Sequence, residues 1–392
     1  MITPELDRAR MEQALGLARG AFGQTEPNPR VGCVLGNEQG AVFGAGATQH
    51  AGGAHAEVMA LNSARAQGQA IEGATAWVTL EPCAHQGRTP PCCDALIAAR
   101  LARVVVALED PFPQVAGAGL ARLRAAGIQV EMAEPALALA AWEINIGFFS
   151  RVLRGRPWVR VKLACSLDGR TGLDNGLSQW ITSEAARIDG HAWRKRAAAV
   201  MTGIGTVLAD DPRLDVRLVP AATQPMRVVV DSALRTPPSA RLLSPPGKAL
   251  IATAAKNDAA VAALERRGAE LLAMPGADGR VDLCSLITEL GRRGVNELHV
   301  EGGAKLTASL LRSSLADELL VYIAPRLLGG SLGLVDWHPL QTLQQGVEFD
   351  LLEHRRVGPD LRLRLRPSKL VFTSSQMDGQ SSKGFTPRSP PK

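Results

Sequence analysis

Apolar positions along the chain recur with two alternating periods. Over residues 4–19, Leu6, Met11, Leu15 and Ala18 fall near one face of an amphipathic helix. Short runs at 31–35 and 41–45 predict two strands around the turn-like Gly36-Asn-Glu-Gln-Gly40. A helix over 55–65, a strand over 74–80, a helix over 92–100 opened by Pro90 and Pro91, a strand over 103–108, a helix over 120–126 and a strand over 128–132 follow. Strands alternating with helices predict a layered α/β domain.

Residues 151–157 are polar, end in Gly155-Arg-Pro157 and read as a linker. A second α/β pattern follows. It has strands at 159–163, 198–201, 227–231, 250–253, 297–300 and 319–324, and helices at 183–196, 258–267, 283–293 and 304–312. Segments 349–356 and 361–365 form a closing hairpin over Gly358-Pro-Asp360. From Ser368 onward Ser, Lys, Pro and Gly dominate without a hydrophobic period, which predicts disorder. The expectation is two domains, 1–150 and 157–366, and a tail over 368–392.

A chain of 392 residues can bury two cores, and its composition is that of an ordinary globular protein. No apolar run is read as long enough to span a bilayer, so no membrane partner is expected. The first residues carry Glu5, Asp7, Arg8, Arg10 and Glu12 and do not read as a secretory signal. Six scattered cysteines suit free thiols in a reducing, cytoplasmic setting better than a disulfide scaffold. The formal charge of +6 is spread out and aromatic residues are only 4%, so a nucleic-acid partner is not expected. A phosphorylated small molecule and a phosphorylated cofactor account for the basic excess equally well.

Three short segments carry the chemistry. His55-Ala-Glu57, Pro82-Cys83 and Cys92 offer one imidazole, two thiolates and a carboxylate that does not ligate. Zinc takes such ligands in a tetrahedron, and a catalytic zinc keeps one position for water. Glu57, two residues past His55, is placed to move protons, as in zinc deaminases of heterocycles. The two thiols are nine positions apart, longer than the common Cys-x-x-Cys, and Cys93 is a rival ligand to the favoured Cys92. Asn28, fixed between Pro27 and Pro29, offers a donor and an acceptor suited to a pyrimidinone edge. Arg88, inside the thiol loop, suits a phosphate.

No Gly-x-Gly-x-x-Gly follows a strand in the C-terminal half, so a Rossmann dinucleotide site is unsupported. Glu301-Gly-Gly303 does follow a predicted strand and opens a helix, where backbone N–H groups can receive a phosphate. Asp210 and Asp211 are a carboxylate pair, but Asp-Asp-Pro is also an ordinary helix-ending turn.

Thr25-Glu-Pro-Asn-Pro-Arg-Val-Gly32, His55-Ala-Glu-Val, and Leu80-Glu-Pro-Cys through Gly87-Arg-Thr-Pro-Pro-Cys92 resemble the pyrimidine deaminase of the riboflavin pathway. Val161-Lys-Leu-Ala-Cys-Ser-Leu-Asp-Gly-Arg170, Ser178-Gln-Trp-Ile-Thr182, Thr206-Val-Leu-Ala-Asp-Asp-Pro212 and Val300-Glu-Gly-Gly303 resemble the reductase fused to it. The resemblance to this bifunctional family runs from about Glu5 to Leu365. It implies a cytidine-deaminase-like zinc domain followed by a dihydrofolate-reductase-like domain that uses NADPH.

By that resemblance His55, Cys83 and Cys92 hold Zn2+, Glu57 is catalytic, and Asn28 and Arg88 contact substrate. Ala164, Trp180, Thr206, Asp210, Ser232, Gly303, Ala304, Lys305, Leu306, Thr307, Ala308 and Ser309 contact NADPH. Lys162, Ser178, Arg194, Leu214, Arg217 and Glu301 hold the reductase substrate. A homo-oligomer is expected. One position departs from the family: Thr48 stands where a His usually precedes the zinc His by seven residues, and His50 is a candidate substitute. Loss of deamination would leave a reductase alone. A zinc-stabilised RNA-binding protein would instead need basic and aromatic residues around the site, where only Trp77 is near.

Overall fold

Each half of the chain is built on its own sheet. The computed structural model describes residues 3–85, 90–111 and 116–368. The first half runs α1 (Pro4–Gly20), β1 (Gly32–Gly36), β2 (Val42–Ala47), α2 (Ala56–Ala66), β3 (Thr75–Val78), α3 (Cys92–Ala98), β4 (Arg103–Val106), α4 (Ala118–Ala125), β5 (Gln129–Met132) and α5 (Pro135–Arg154). Thr3 caps α1 by accepting the Leu6 N–H, and Met11, Ala14, Leu15 and Ala18 are its buried stripe. The sheet order is β2-β1-β3-β4-β5, antiparallel about β1 and parallel from β3 onward. Helix α2 packs on β1 and β2, and α1 packs on α5.

The second half continues with β6 (Trp158–Ser166), α6 (Glu184–Arg196), β7 (Ala199–Gly203), α7 (Ile204–Asp210), β8 (Met226–Val230), β9 (Ala249–Thr253), α8 (Asp258–Glu265) and β10 (Ala269–Ala273). Then come α9 (Leu283–Arg292), β11 (Glu297–Val300), α10 (Ala304–Arg312), β12 (Glu318–Ala324), β13 (Phe349–Val357) and β14 (Asp360–Pro367). Nine strands align as β10-β9-β8-β7-β11-β6-β12-β14-β13; the first seven are parallel and the terminal hairpin is antiparallel. Every element read from the sequence is present with ends within three residues. Among the α-helices and strands of the described residues, α5, α7 and β10 were not read from the sequence.

The linker expectation is corrected. Helix α5 continues through Arg151–Arg154, so only Gly155, Arg156 and Pro157 connect the halves. Leu137, Trp142, Ile144, Ile146 and Phe149 of α5 are all buried, and an apolar helix of this kind leaves no one-sided period to read. At 20 residues and mean hydropathy 1.3, it also meets the length and composition of a membrane span, contrary to the expectation that no such run exists. Half of that stretch is buried inside the protein, which fits a core helix.

Buried charges join the halves. Glu297, at the start of β11, is fully buried and pairs with Arg30 from the first half, with Arg160 at 2.8 Å and with Arg196 at 2.7 Å. Arg30 also donates to the Arg196 carbonyl at 2.8 Å and the Ile144 carbonyl at 3.1 Å. Arg364 and Arg366 of β14 bind Glu318 of β12 and reach Glu143 of α5 at 3.1 and 2.8 Å. Burial works to raise the Glu297 pKa, but Arg196, Arg30 and Arg160 outweigh it and hold the carboxyl far below the ordinary range. Glu26 shares Arg30 with Glu297, and burial lifts it to about 7. Backbone approach is close here: a Cβ on Gly147 of α5 would stand 2.4 Å from Glu297 Cγ and 2.7 Å from the Asn296 carbonyl.

Two variants test this interface. Glu297→Gln leaves three guanidinium groups short of a counter-charge and is expected to lower unfolding free energy by about 3–5 kcal/mol in denaturant titrations. Glu297 has a depressed folded pKa, so its stabilisation is present above the unfolded value and is lost as pH falls. The gap between parent and Glu297→Gln should therefore narrow below about pH 4; a gap that stays constant or widens there contradicts the assignment. Gly147→Ala should cost about 1–3 kcal/mol by overpacking, and an unchanged melting curve would show that α5 is not wedged against β11.

Candidate active sites

The first site lies where two helices begin. His55 is the N-cap of α2, Glu57 sits in the first turn of α2, and Cys92 is the first residue of α3. Cys83 comes from the loop after β3. That loop is held from below: Glu81 accepts the N–H groups of Asp110, Gly117, Gly119 and Leu120 at 2.8–3.3 Å. Gly119 lets α4 come this close, since a Cβ there would meet the Pro82 carbonyl at 1.9 Å.

The ligand atoms of His55, Cys83 and Cys92 lie within 4.8 Å of one another. His55 Nδ1 is 3.2 Å from Cys92 Sγ and 3.7 Å from Cys83 Sγ. Zinc bonds of about 2.0–2.3 Å make tetrahedral edges of about 3.3–3.8 Å, so the donor set fits Zn2+ with one position left over. Cys93 is not part of the cluster. One step along α3 turns its thiol into the core, 3.9 Å from Asp94 Oδ1.

Without metal, the Cys92 thiol, His55 and the Cys92 N–H at 3.4 Å hold Cys83 down at about 4, against burial. Cys92 is pushed far up in exchange, by Cys83 and by burial. His55 is raised chiefly by its bond to Cys83. Burial lifts Glu57, only 3% exposed, to about 7, a carboxyl able to hold or release a proton near neutrality.

His55, Glu57 and Cys83 open on a cavity of about 400 Å³, with Cys92 behind them. Asn28 lines it between Pro27 and Pro29, as do Thr48 and His85. His50 is exposed and outside the lining, so it does not substitute for the missing His; the buried Thr48, which accepts the Val31 N–H at 3.3 Å, occupies that wall. Arg88 lies outside the described residues. The sequence reading missed Phe148, Arg151 and Val152, which form a wall from α5. Trp77 is core, with its Nε1 donating to Asp7 at 2.7 Å, so it is no stacking platform.

The second site is a cavity of about 600 Å³ at the ends of β6 and β11. It gathers Lys162, Ala164, Ser178, Trp180, Arg194, Thr206, Asp210, Leu214, Arg217, Glu301, Gly303 and Ala304, all predicted. Trp180 is 59% exposed, a flat wall without a partner core. Arg187, unpredicted, stacks over it at 4.6 Å. Ser178 donates to Asp210 at 3.0 Å.

Arg194 forks onto both Glu301 oxygens and donates to the Asp215 carbonyl at 2.9 Å. Burial works to raise Glu301, but Arg194 holds it well below the usual range. Burial lowers the Lys162 pKa while Glu301 supports its charge. His191, also unpredicted, accepts the Arg217 N–H at 3.1 Å, and burial with Arg194 and Arg217 keeps it neutral at about 4.

Gly302, Gly303 and Ala304 bring the start of α10 to this cavity, and its first turn carries no acidic residue. Arg187, Arg213, Arg217 and Arg241 line the same space. A helix N-terminus among arginines fits the phosphates of NADPH. The predicted stretch narrows, however. Thr307 and Ala308 are fully buried, and Lys305, Leu306, Ser309 and Ser232 lie outside the lining. Ser232 instead accepts the Val281 N–H at 3.0 Å.

Comparison with known proteins matches both halves of the chain. A family model for the cytidine and deoxycytidylate deaminase zinc-binding region matches residues 4–108, and one for the RibD C-terminal domain matches residues 157–363. The riboflavin biosynthesis protein RibD of Escherichia coli is 44% identical over 373 residues, 92% of this chain and 99% of that protein. RibD of Mycobacterium tuberculosis is 39% identical over 362 residues, 91% of this chain and 97% of its own length. The solved structure of Acinetobacter baumannii RibD superposes with a TM-score of 0.83 at 38% identity, covering 94% of this chain and all of that one. A Thermotoga maritima protein described as a diaminohydroxyphosphoribosylaminopyrimidine deaminase/5-amino-6-(5-phosphoribosylamino)uracil reductase gives 0.82 at 29% identity, covering 93% and 99%. The chain belongs to the RibD family of riboflavin biosynthesis proteins, with a cytidine-deaminase-like zinc domain and a dihydrofolate-reductase-like domain in one polypeptide.

Proposed function

We propose that the two cavities catalyse consecutive steps on one phosphorylated pyrimidine. The N-terminal domain hydrolytically deaminates 2,5-diamino-6-ribosylamino-4(3H)-pyrimidinone 5′-phosphate. The C-terminal domain then reduces the ribosyl group with NADPH, giving 5-amino-6-ribitylamino-uracil 5′-phosphate. The observation that carries this reading is the cluster of His55, Cys83 and Cys92, with Glu57 buried beside it, in one cavity with Asn28. Domain limits of 1–150 and 157–366 go with it, supported by the separate sheets and the three-residue connection. So does a cytoplasmic homo-oligomer that needs neither nucleic acid nor membrane; thiolate ligands require a reducing setting.

In the first site His55, Cys83 and Cys92 would hold zinc, which would supply the Lewis acidity that lets water ionise near neutral pH. Glu57 would take one proton of the attacking water and pass it to the ring nitrogen, then carry the remaining proton, from the hydroxyl of the tetrahedral adduct, to the amine, which leaves as ammonia. Burial raises its pKa, which suits a group that must both take and give a proton. Asn28 reads the pyrimidinone edge, and Arg88 is assigned the ribose phosphate.

In the second site NADPH supplies the hydride. Gly303 and Ala304 would hold its phosphates, Trp180 would back its nicotinamide, and Ala164, Thr206 and Asp210 would contact it. Arg194 holds the Glu301 carboxylate in place and uses three of its five N–H donors on Glu301 and the Asp215 carbonyl, which leaves donors for substrate. Arg217, half-exposed with one arm on Asp215, is the better phosphate partner. Lys162, Ser178 and Leu214 complete the wall that orients the sugar, and orientation is the larger part of what this site contributes.

Mass spectrometry of products from zinc-loaded protein tests the reading directly. Deaminated product is expected without NADPH, and ribityl product once NADPH is added; reduction without deamination would remove the first activity. Glu57→Gln should lower deaminase kcat by about 10²–10⁴-fold with zinc content and reductase activity retained. Deamination at the parent rate in that variant would refute the proton-transfer role.

A further inference from the structure

The loop that carries Asn28 belongs to the deaminase domain, yet its supports come largely from the reductase domain. We infer that Asn296, the residue preceding β11 of the reductase sheet, is a positioning residue for deamination, acting through Asn28. This rests on the proposed substrate contact of Asn28.

Asn296 is 2% exposed and uses both ends of its carboxamide. Its Nδ2 donates to the Pro27 carbonyl at 3.1 Å, and its Oδ1 accepts from Arg151 Nε at 2.6 Å. Arg151 Nη2 closes the ring by donating to the same Pro27 carbonyl at 3.0 Å. Pro27 also packs on the reductase domain, where a Cβ on Gly294 would meet Pro27 Cβ at 3.0 Å. The far end of the loop is gripped in the same way. Arg30 pairs with Glu297 and the Arg196 carbonyl, while Asn145 brackets the Arg30 backbone with bonds of 2.7 and 2.9 Å.

Asn28 therefore sits between two anchors only three residues apart, each tied to the adjacent pair Asn296 and Glu297. A peptide held on both sides has little freedom to turn its side chain away from the cavity. Asn296 touches neither cavity, so what it sets is the aim of Asn28. An amide with both donor and acceptor committed is hard to replace: removing it leaves the Pro27 carbonyl and Arg151 each one partner short.

Steady-state kinetics on the full-length protein test this with Asn296→Ala, Asn28→Ala and the double variant. Asn296→Ala is expected to raise deaminase KM about tenfold, the loss of about 1.4 kcal/mol of binding, while deaminase kcat, zinc content and reductase kcat/KM stay near the parent values. Asn296→Ser, which restores one donor, should recover part of the KM. In the Asn28→Ala background Asn296→Ala should add nothing further, because its effect passes through Asn28. Should Asn296→Ala fold poorly, Asn296→Ser alone and in the Asn28→Ala background carries the same comparison. An unchanged KM in a folded Asn296 variant while Asn28→Ala raises it, additive losses in the double variant, or a parallel fall of both activities with lost zinc would overturn the inference. If Asn28→Ala itself leaves KM unchanged, the substrate contact fails first and the inference falls with it.

Discussion

A glutamate with no exposure to solvent must be neutralised on the spot, and Glu297 imposes that requirement on both halves of the chain. Removing a carboxylate from water costs several kcal/mol even after relaxation, and the cost is offset only by partners with good geometry. Arg160 and Arg196 supply two from the same domain, and Arg30 supplies the third from the other. Once Arg30 is drawn in, the loop from Thr25 must lie across the start of β11, and α5 must pack so closely that only Gly147 fits. This buried charge, with the ties from Arg364 and Arg366 to Glu143 and from Asn296 to Pro27, fixes how the two cavities are set relative to each other.

Both chemistries then use the same local device, a ligand-facing group at the start of a helix. His55 caps α2, Cys92 begins α3, and Gly303 caps α10. At such positions backbone N–H groups lack intrahelical partners and favour negative charge, whether a thiolate or a phosphate. The two sites differ in what burial does to their carboxylates. Glu57 has no cation bound in a fork and is lifted toward neutrality, where it can exchange a proton. Glu301 is gripped by Arg194 and stays charged, so it can orient but not titrate near neutral pH. Similar burial gives opposite shifts because Glu301 has a guanidinium partner and, among the described residues, Glu57 is shown with none.

The legible part of this protein was the part whose chemistry is local. His55, Glu57, Cys83 and Cys92 stood out because zinc chemistry demands particular side chains, and the helix starts around them are marked by proline and polar residues. The choice between Cys92 and Cys93 required the helix itself, since adjacent residues on it point about 100° apart. The same periodicity explains why the expected stretch from Gly303 to Ser309 narrows to its first residues: Thr307 and Ala308 turn into the core. Helix α5 was not legible, because an apolar helix leaves no one-sided period, and with it went Phe148 and Arg151 on the cavity wall. The pairing of Arg30 with Glu297 spans 267 positions, and no pattern along a sequence announces such a contact.

That long-range pair also bears on what charge adds to the apolar packing that joins the domains, where Trp158 of β6 belongs to the core of the first half. Hydrophobic contact is tolerant of direction, so an oily interface could slide by an ångström at little cost. A fork between guanidinium and carboxylate is not tolerant, because its hydrogen bonds fail when the groups move apart or twist. The gain of such a buried cluster is specificity of arrangement more than net stability. Here the arrangement reaches active-site residues directly: β11 starts at Glu297, beside the loop of Asn28, and leads straight into Glu301 in the reductase cavity. Helix α6 runs alongside with Arg196 on the first and Arg194 on the second. One strand and one helix thus hold a residue of each cavity at fixed separation, and neither cavity can shift at this point without straining the other.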